Sequence, residues 1–315
     1  MLSVGKTYIL KYIDKIMAYN VDLHTYGWPT FERGKFELPG ISYRGERSLK
    51  VLVDRCSEVD LDLIGFVNFG DTRFQQLCGV VKDLPSNYQV DIHNKRENPV
   101  IITVQAPGKK PVIILRGQQM LAQEGHVLVL GASKQLADRR HLEDTLKEAK
   151  DLGCLIIAPA PYFMQGKNVE GVTPGSAEYR SPIAIEDLRN TFEGCLRFFD
   201  GVETFSASPW PKSFRDLFRL QRQNKDSALF ADQYDLPSIT VSEAHALAHL
   251  GYAYMSFTKP IDPKNVVKDL RKKLSERDYT TKQTTVPLLG MGRCLAADLW
   301  NHFSLARGWL TIRRE

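Results

Sequence analysis

From Tyr19 onward, short apolar runs alternate with longer stretches whose apolar positions recur every three or four residues. The runs Val21–His24, Leu63–Phe69, Val112–Leu115, His126–Leu130, Leu155–Ala158, Gly201–Phe205 and Ser238–Val241 read as strands. Tyr88–Ile92 and Val100–Gln105 read as an antiparallel pair around the polar turn His93–Asn98. The helical period appears at Arg47–Val59, Arg139–Leu152, Ile183–Phe199 and Trp210–Leu229, with a short helix at Glu243–Leu250. This alternation predicts a parallel sheet with helices outside it. Loops then converge beyond the C-terminal ends of the strands, where His24, Asn68, Ala160 and Glu243 fall.

The pattern changes at both ends. Residues 2–16 carry a helical stripe (Leu2, Val4, Ile9, Leu10, Tyr12, Ile13) with lysines between, which predicts an N-terminal helical extension over residues 1–16. Beyond Phe257 the chain reads as a basic helix (Asn265–Arg277), a polar linker (Asp278–Thr285) and a second helix (Met291–Arg307). The expected organisation is an extension over 1–16, a core domain over 17–258 and a basic helical extension over 259–315.

With 315 residues, 43% hydrophobic and 25% charged, the chain suits one globular domain with appendages. No run of about 18 uncharged apolar residues marks a membrane span. Lys6, Lys11, Asp14 and Lys15 interrupt any signal-peptide core, so a cytoplasmic protein without membrane partners is expected. The five cysteines (Cys56, Cys78, Cys154, Cys195, Cys294) contain no Cys-x-x-Cys pair, which argues against a zinc knuckle or redox motif. Charge is uneven: Lys259 to Glu315 holds twelve Lys and Arg against six Asp and Glu, a net +6, while the preceding residues sum to −1. A basic tail that includes Arg271, Lys272, Lys273, Tyr279, Trp300 and Trp309 allows nucleic acid or another acidic partner.

Three polar motifs interrupt the apolar runs. They are Val21-Asp22-Leu23-His24-Thr25-Tyr26-Gly27, Leu61 through Asp71, and Leu236 through His245 with its Ser242-Glu243-Ala244-His245 ending. In order and spacing they resemble the PHP (polymerase and histidinol phosphatase) family of metal-dependent phosphoesterases. The resemblance implies an α/β fold, a distorted TIM-like (β/α)7 barrel. The family reads Asp-Leu-His-x-His, Thr-Asp-His and Ser-Asp-Ala-His at these places. Here Tyr26 stands for the second histidine, and Asn68 and Phe69 for Asp-His. Gln119 in Gly117-Gln118-Gln119 takes the place of the bridging glutamate, and Ala160 that of a further histidine.

The resemblance leaves His24, His126, Glu243 and His245 as candidate metal ligands, with Tyr26, Asn68, Phe69 and Gln119 as pocket residues and no assignable catalytic group. A multinuclear phosphoesterase needs imidazoles and carboxylates converging on metals ~3.5–4 Å apart, with at least three protein ligands for each metal. Replacing the bridging glutamate by neutral Gln119 removes both a charge and a bridge. The expectation is a PHP-like barrel without its multinuclear site and without a cofactor. It would bind a phosphorylated small molecule or nucleic acid through its mouth and basic helix. The alternative is a phosphoesterase with a reduced site holding one divalent metal (Mn, Zn or Fe). His245 and His249, four residues apart, have the spacing of a helical metal pair.

Overall fold

The computed structural model describes residues 18–26, 36–38, 41–43, 49–68, 72–93, 100–159, 193–207, 214–244 and 247–285. The expected N-terminal helix, most of Ile183–Phe199 and the helix Met291–Arg307 lie outside these residues. Thirteen strands are described: β1 (Tyr19–Tyr26), β2 (Phe36–Leu38), β3 (Ile41–Tyr43), β4 (Leu63–Asn68), β5 (Gln89–His93), β6 (Ile101–Gln105), β7 (Pro111–Leu121), β8 (His126–Leu130), β9 (Leu155–Ala158), β10 (Gly201–Ser206), β11 (Ser238–Val241), β12 (Ala253–Phe257) and β13 (Tyr279–Gln283). The helices are α1 (Leu49–Glu58), α2 (Thr72–Gly79), α3 (Leu142–Asp151), α4 (Phe214–Gln233) and α5 (Val266–Glu276).

One mixed sheet runs in the order β11-β10-β9-β8-β7-β4-β1-β12-β13, with β6 and then β5 attached beside β7. It curls until β1 meets the segment after β11 through a parallel bridge, Thr25 to Ala244, and the Tyr26 amide donates to the Ala244 carbonyl at 3.0 Å. The result is a nearly closed barrel. Alternate residues follow the pleat. Val21, Leu23, Leu63, Val67, Ile113, Leu115, Leu128, Leu130, Leu155, Ile157, Ile239 and Val241 fill the interior. The opposite faces bury Ile64, Phe66 and Ile114 with α1 and α2, and Val127, Val129, Ile156 and Val202 with α3.

Two readings of the sequence are corrected. The sheet is parallel only within β1-β4-β7 and β9-β10-β11, because β8 runs antiparallel to both β7 and β9. The cause is the tight turn at Ala122–Gly125, closed by the Ala122 amide on the Gly125 carbonyl at 2.8 Å, which is too short for a parallel crossover. As a result His126, at the start of β8, stands at the same end of the barrel as the C-terminal ends of β1 and β7. The supposed linker Asp278–Thr285 contains β13, which pairs along the whole of β12. Just before it, α5 sets Val266, Leu270 and Leu274 into the interior core. A helix thereby plugs the barrel floor, opposite the mouth.

Candidate functional site

Two strand irregularities shape the mouth. In β1 the register with β4 shifts between Asp22 and Thr25. In β10 the register with β11 shifts between Glu203 and Phe205. Without a bulge, residues two apart share a face and their neighbours do not. The shift in β1 carries the chain over Gly65, whose added Cβ would stand 2.2 Å from the Leu23 carbonyl oxygen. Thr25 Oγ1 then donates to the Gly65 carbonyl at 2.9 Å, fixing the bulge.

His24 is 1% exposed. Its Nδ1 lies 2.8 Å from Glu203 Oε1, and its Nε2 is buried with no hydrogen-bond partner among the described residues. Burial alone would lower the His24 pKa. Glu203, Glu243 and Asp22 outweigh burial and raise it above the ordinary value. Glu203 went unremarked at the sequence level, where Gly201–Phe205 reads simply as a strand. The available signal was a carboxylate inside an apolar run, since a buried charge requires a partner.

A second network crosses the mouth. The Tyr26 hydroxyl donates to Gln119 Oε1, and Gln119 Nε2 donates to His126 Nδ1 at 3.1 Å. In this arrangement the neutral His126 ring carries its proton on Nε2. Burial, then the charge of His24, pushes the His126 pKa down to about 4. Burial, followed by Glu243 and Glu203, holds the Tyr26 phenol well above its usual range. The His24 and Tyr26 rings sit 4.9 Å apart at 54°.

Glu243 closes the arrangement. Its φ of +49° is left-handed backbone, uncommon for a non-glycine residue and frequent at functional sites. Asp22 stabilises this turn. Ser242 donates its amide to Asp22 Oδ1 at 3.1 Å and its hydroxyl to Oδ2. Burial lifts the Asp22 pKa to about 7 despite these bonds. Ser206 Oγ donates to Glu243 Oε2 at 2.6 Å, and the Ser206 amide is held by Asn224 Oδ1 of α4 at 3.3 Å. The Glu243 pKa rises to about 6, chiefly by burial and against the pull of His24 and Ser206.

The structure brings together His24, Tyr26, Gln119, His126 and Glu243, and adds Asp22, Glu203 and Ser206. Asn68 ends β4 opposite Gln118. Phe69, Ala160 and His245 lie outside the described residues. The short helix over Glu243–Leu250 is corrected: Glu243 is left-handed, Ala244 bridges to Thr25, and among the described residues of this span Leu247–His249 forms a 3-10 turn. Glu243 therefore does not open a helix. His249 is 2% exposed and sits in that turn, and His245 lies outside the described residues.

The expected basic contacts also change. Arg271 Nε binds Asp200 Oδ1 at 2.9 Å, and its Nη2 donates to the Gly153 carbonyl at 3.3 Å. Lys273 is 6% exposed, and the Tyr279 hydroxyl donates to the Ser238 carbonyl at 2.8 Å. These groups hold the fold together. Lys264, Lys268 and Lys272 keep exposed positions along α5 and its approach.

Residues 221–275 match the model of the PHP-associated family. They span most of α4, β11, Glu243, β12 and nearly all of α5, which together form the closing seam and the floor. No curated protein matches the sequence. Among solved structures the chain is similar to PsfC from Pseudomonas syringae PB-5123, with 15% identity over 90% of this chain and 98% of that one and a TM-score of 0.50. It is also similar to a two-domain protein containing a predicted PHP-like metal-dependent phosphoesterase from Bacteroides vulgatus ATCC 8482. There the identity is 13% over 85% of this chain and 65% of that one, with a TM-score of 0.47. The lesion-specific endonuclease PfuEndoQ from Pyrococcus furiosus gives 11% over 82% and 56%, with a TM-score of 0.42. The present chain thus spans less than two thirds of the last two proteins. The PHP-associated match over residues 221–275 agrees with the PHP resemblance of the motifs, and the fold is a mixed α/β, nearly closed barrel similar to that of PsfC.

The chemistry of the mouth can be tested against the metals of that family. Among the described residues no three His, Cys, Asp or Glu side chains form a group arranged to hold a metal. Tyr26, Gln119 and His126, at positions that the PHP resemblance assigns to ligands, are hydrogen-bonded to one another, and this arrangement among the described residues does not fit a multinuclear centre. A single cation is a different case. The buried, unpartnered Nε2 of His24 fits such an ion, with the Glu243 carboxylate close enough to act on His24 electrostatically. No helix among the described residues is long and apolar enough to cross a membrane.

Proposed function

We propose that this barrel acts as a binding module rather than a multinuclear hydrolase. It takes a phosphorylated small molecule or nucleic acid at its mouth, with at most one divalent cation. The observation that carries this reading is the Tyr26–Gln119–His126 chain. In it, donors and acceptors at ligand positions satisfy one another, and the His126 nitrogen facing Gln119 accepts a hydrogen bond. The carboxylates of Glu203 and Glu243 make the mouth unfavourable for a bare phosphate. One cation between Glu243 and the phosphate oxygens removes that repulsion, as magnesium does where it binds through one or two carboxylates plus substrate phosphates. The test uses a labelled 5′-phosphorylated oligonucleotide with manganese, zinc or iron added. Saturable binding with no shortened product and no released phosphate is expected; turnover would contradict the reading.

A second reading, a phosphoesterase with a reduced site, draws on the unpartnered His24 Nε2. It predicts that Glu243→Ala abolishes both metal uptake and phosphatase activity. Turnover unchanged in that variant excludes it.

A further inference from the structure

The unpartnered nitrogen of His24 calls for an explanation, because a buried polar atom left without a partner costs about 1–3 kcal/mol. Its opposite nitrogen is fully engaged: Nδ1 lies 2.8 Å from Glu203 Oε1, on a carboxylate that is itself 5% exposed. A carboxylate can only accept, so in the neutral form of the ring the proton belongs on Nδ1 and the lone pair on Nε2, the atom left without a partner. The β10 register shifts between Glu203 and Phe205, and the same strand supplies Ser206, whose Oγ donates to Glu243 Oε2 at 2.6 Å. Glu203, Glu243 and Asp22 act on the His24 ring electrostatically and all three are acidic, so the ring sits in a negative field. The ligand chemistry that suits a lone pair in such a field is a cation.

We propose that Glu203 is a positioning residue for one divalent cation at the mouth. It fixes the His24 proton on Nδ1 and presents Nε2, while Ser206 holds Glu243 beside it. This rests on the single-cation part of the proposed function and adds two residues that the motifs did not mark. Carboxylates behind a ligand histidine set its tautomer and basicity, and removing one typically costs about 10–100-fold in metal affinity. His126 is excluded from the ligand set, since its Nδ1 already accepts from Gln119.

The test measures manganese binding to the full chain by calorimetry, together with the His24 tautomer from 15N shifts of the metal-free protein at a pH above the His24 titration, where the ring is neutral. Glu203→Ala should lower manganese affinity about 10–100-fold and move the His24 proton from Nδ1 to Nε2. Glu203→Gln retains an acceptor for Nδ1, so it should keep the wild-type tautomer and recover much of the affinity. This variant also covers the case in which the alanine variant does not fold. Manganese bound equally by wild type and Glu203→Ala, or a His24 tautomer unmoved by the alanine, would overturn the role of Glu203. A wild-type chain that binds no manganese would overturn the cation reading itself, and this inference with it.

Discussion

His126, half-buried, and Asp22, fully buried, sit at the same end of the barrel and respond to pH in opposite directions. The His126 pKa lies at about 4 in the fold, below the 6.5 of a free imidazole. The unfolded chain therefore takes up a proton first. The stability that His126 contributes is complete above pH 6.5 and is lost as pH falls towards 4, by on the order of 2–3 kcal/mol. His126→Asn, which keeps an acceptor for Gln119, should show a smaller loss of stability between pH 6.5 and 4 in denaturant titrations. Equal losses would count against a buried neutral ring. Asp22 has its pKa raised to about 7, so its contribution is complete below pH 3.8 and declines as pH rises to 7. The stability of Asp22→Asn relative to wild type should increase over that window, by on the order of 3 kcal/mol in all. At this scale the sequence marked His24, Tyr26, Gln119, His126 and Glu243 through their places in three motifs. It did not mark Glu203 or Ser206. A carboxylate in an apolar strand signals a partner, but nothing in the chain names one 179 residues away.

At the scale of elements, periodicity located most strands of the barrel, and the turn at Gln123–Gly125 was visible in the residues. It failed where the pattern carries no contrast. β13 is almost wholly exposed on both faces, so its Tyr-Thr-Thr-Lys-Gln sequence shows no apolar alternation and reads as a linker. Bulges leave no periodic trace, yet those in β1 and β10 bring His24 and Glu203 together. Gly65 is the residue that admits the first bulge. Gly65→Ala must displace the Leu23 backbone, and it should lower the melting temperature and disturb the His24 ring signals together. The α5 floor makes a separate prediction. Leu270 is fully buried, so Leu270→Ala should cost about 2–5 kcal/mol. The exposed Lys272→Ala should change stability by less than about 0.5 kcal/mol. Similar costs for both would mean that α5 does not plug the core.

For the whole molecule, the seam between β1 and β11 is where fold and site meet. Asp22 ties the two ends through Ser242, Thr25 bridges to Ala244, and Glu243 is turned inward between them. The PHP-associated segment supplies one side of that seam, the Asn224 support and nearly all of the floor. Charge at this scale is narrower than the sequence suggests, since Arg271 and Lys273 serve the fold. A nucleic-acid ligand would meet Lys264, Lys268 and Lys272. Alanine at Lys268 and Lys272 should weaken oligonucleotide binding and flatten its salt slope by about one unit per lost phosphate contact. An unchanged slope would move the ligand to the mouth alone.

Metal content per chain bears most directly on the central claim. The purified protein would be saturated with manganese, zinc and iron in turn, freed of excess, and measured by elemental analysis. A mouth whose family ligand positions are bonded to one another should retain no more than one metal per chain. Two or three tightly held metals would contradict the account and restore a multinuclear hydrolase.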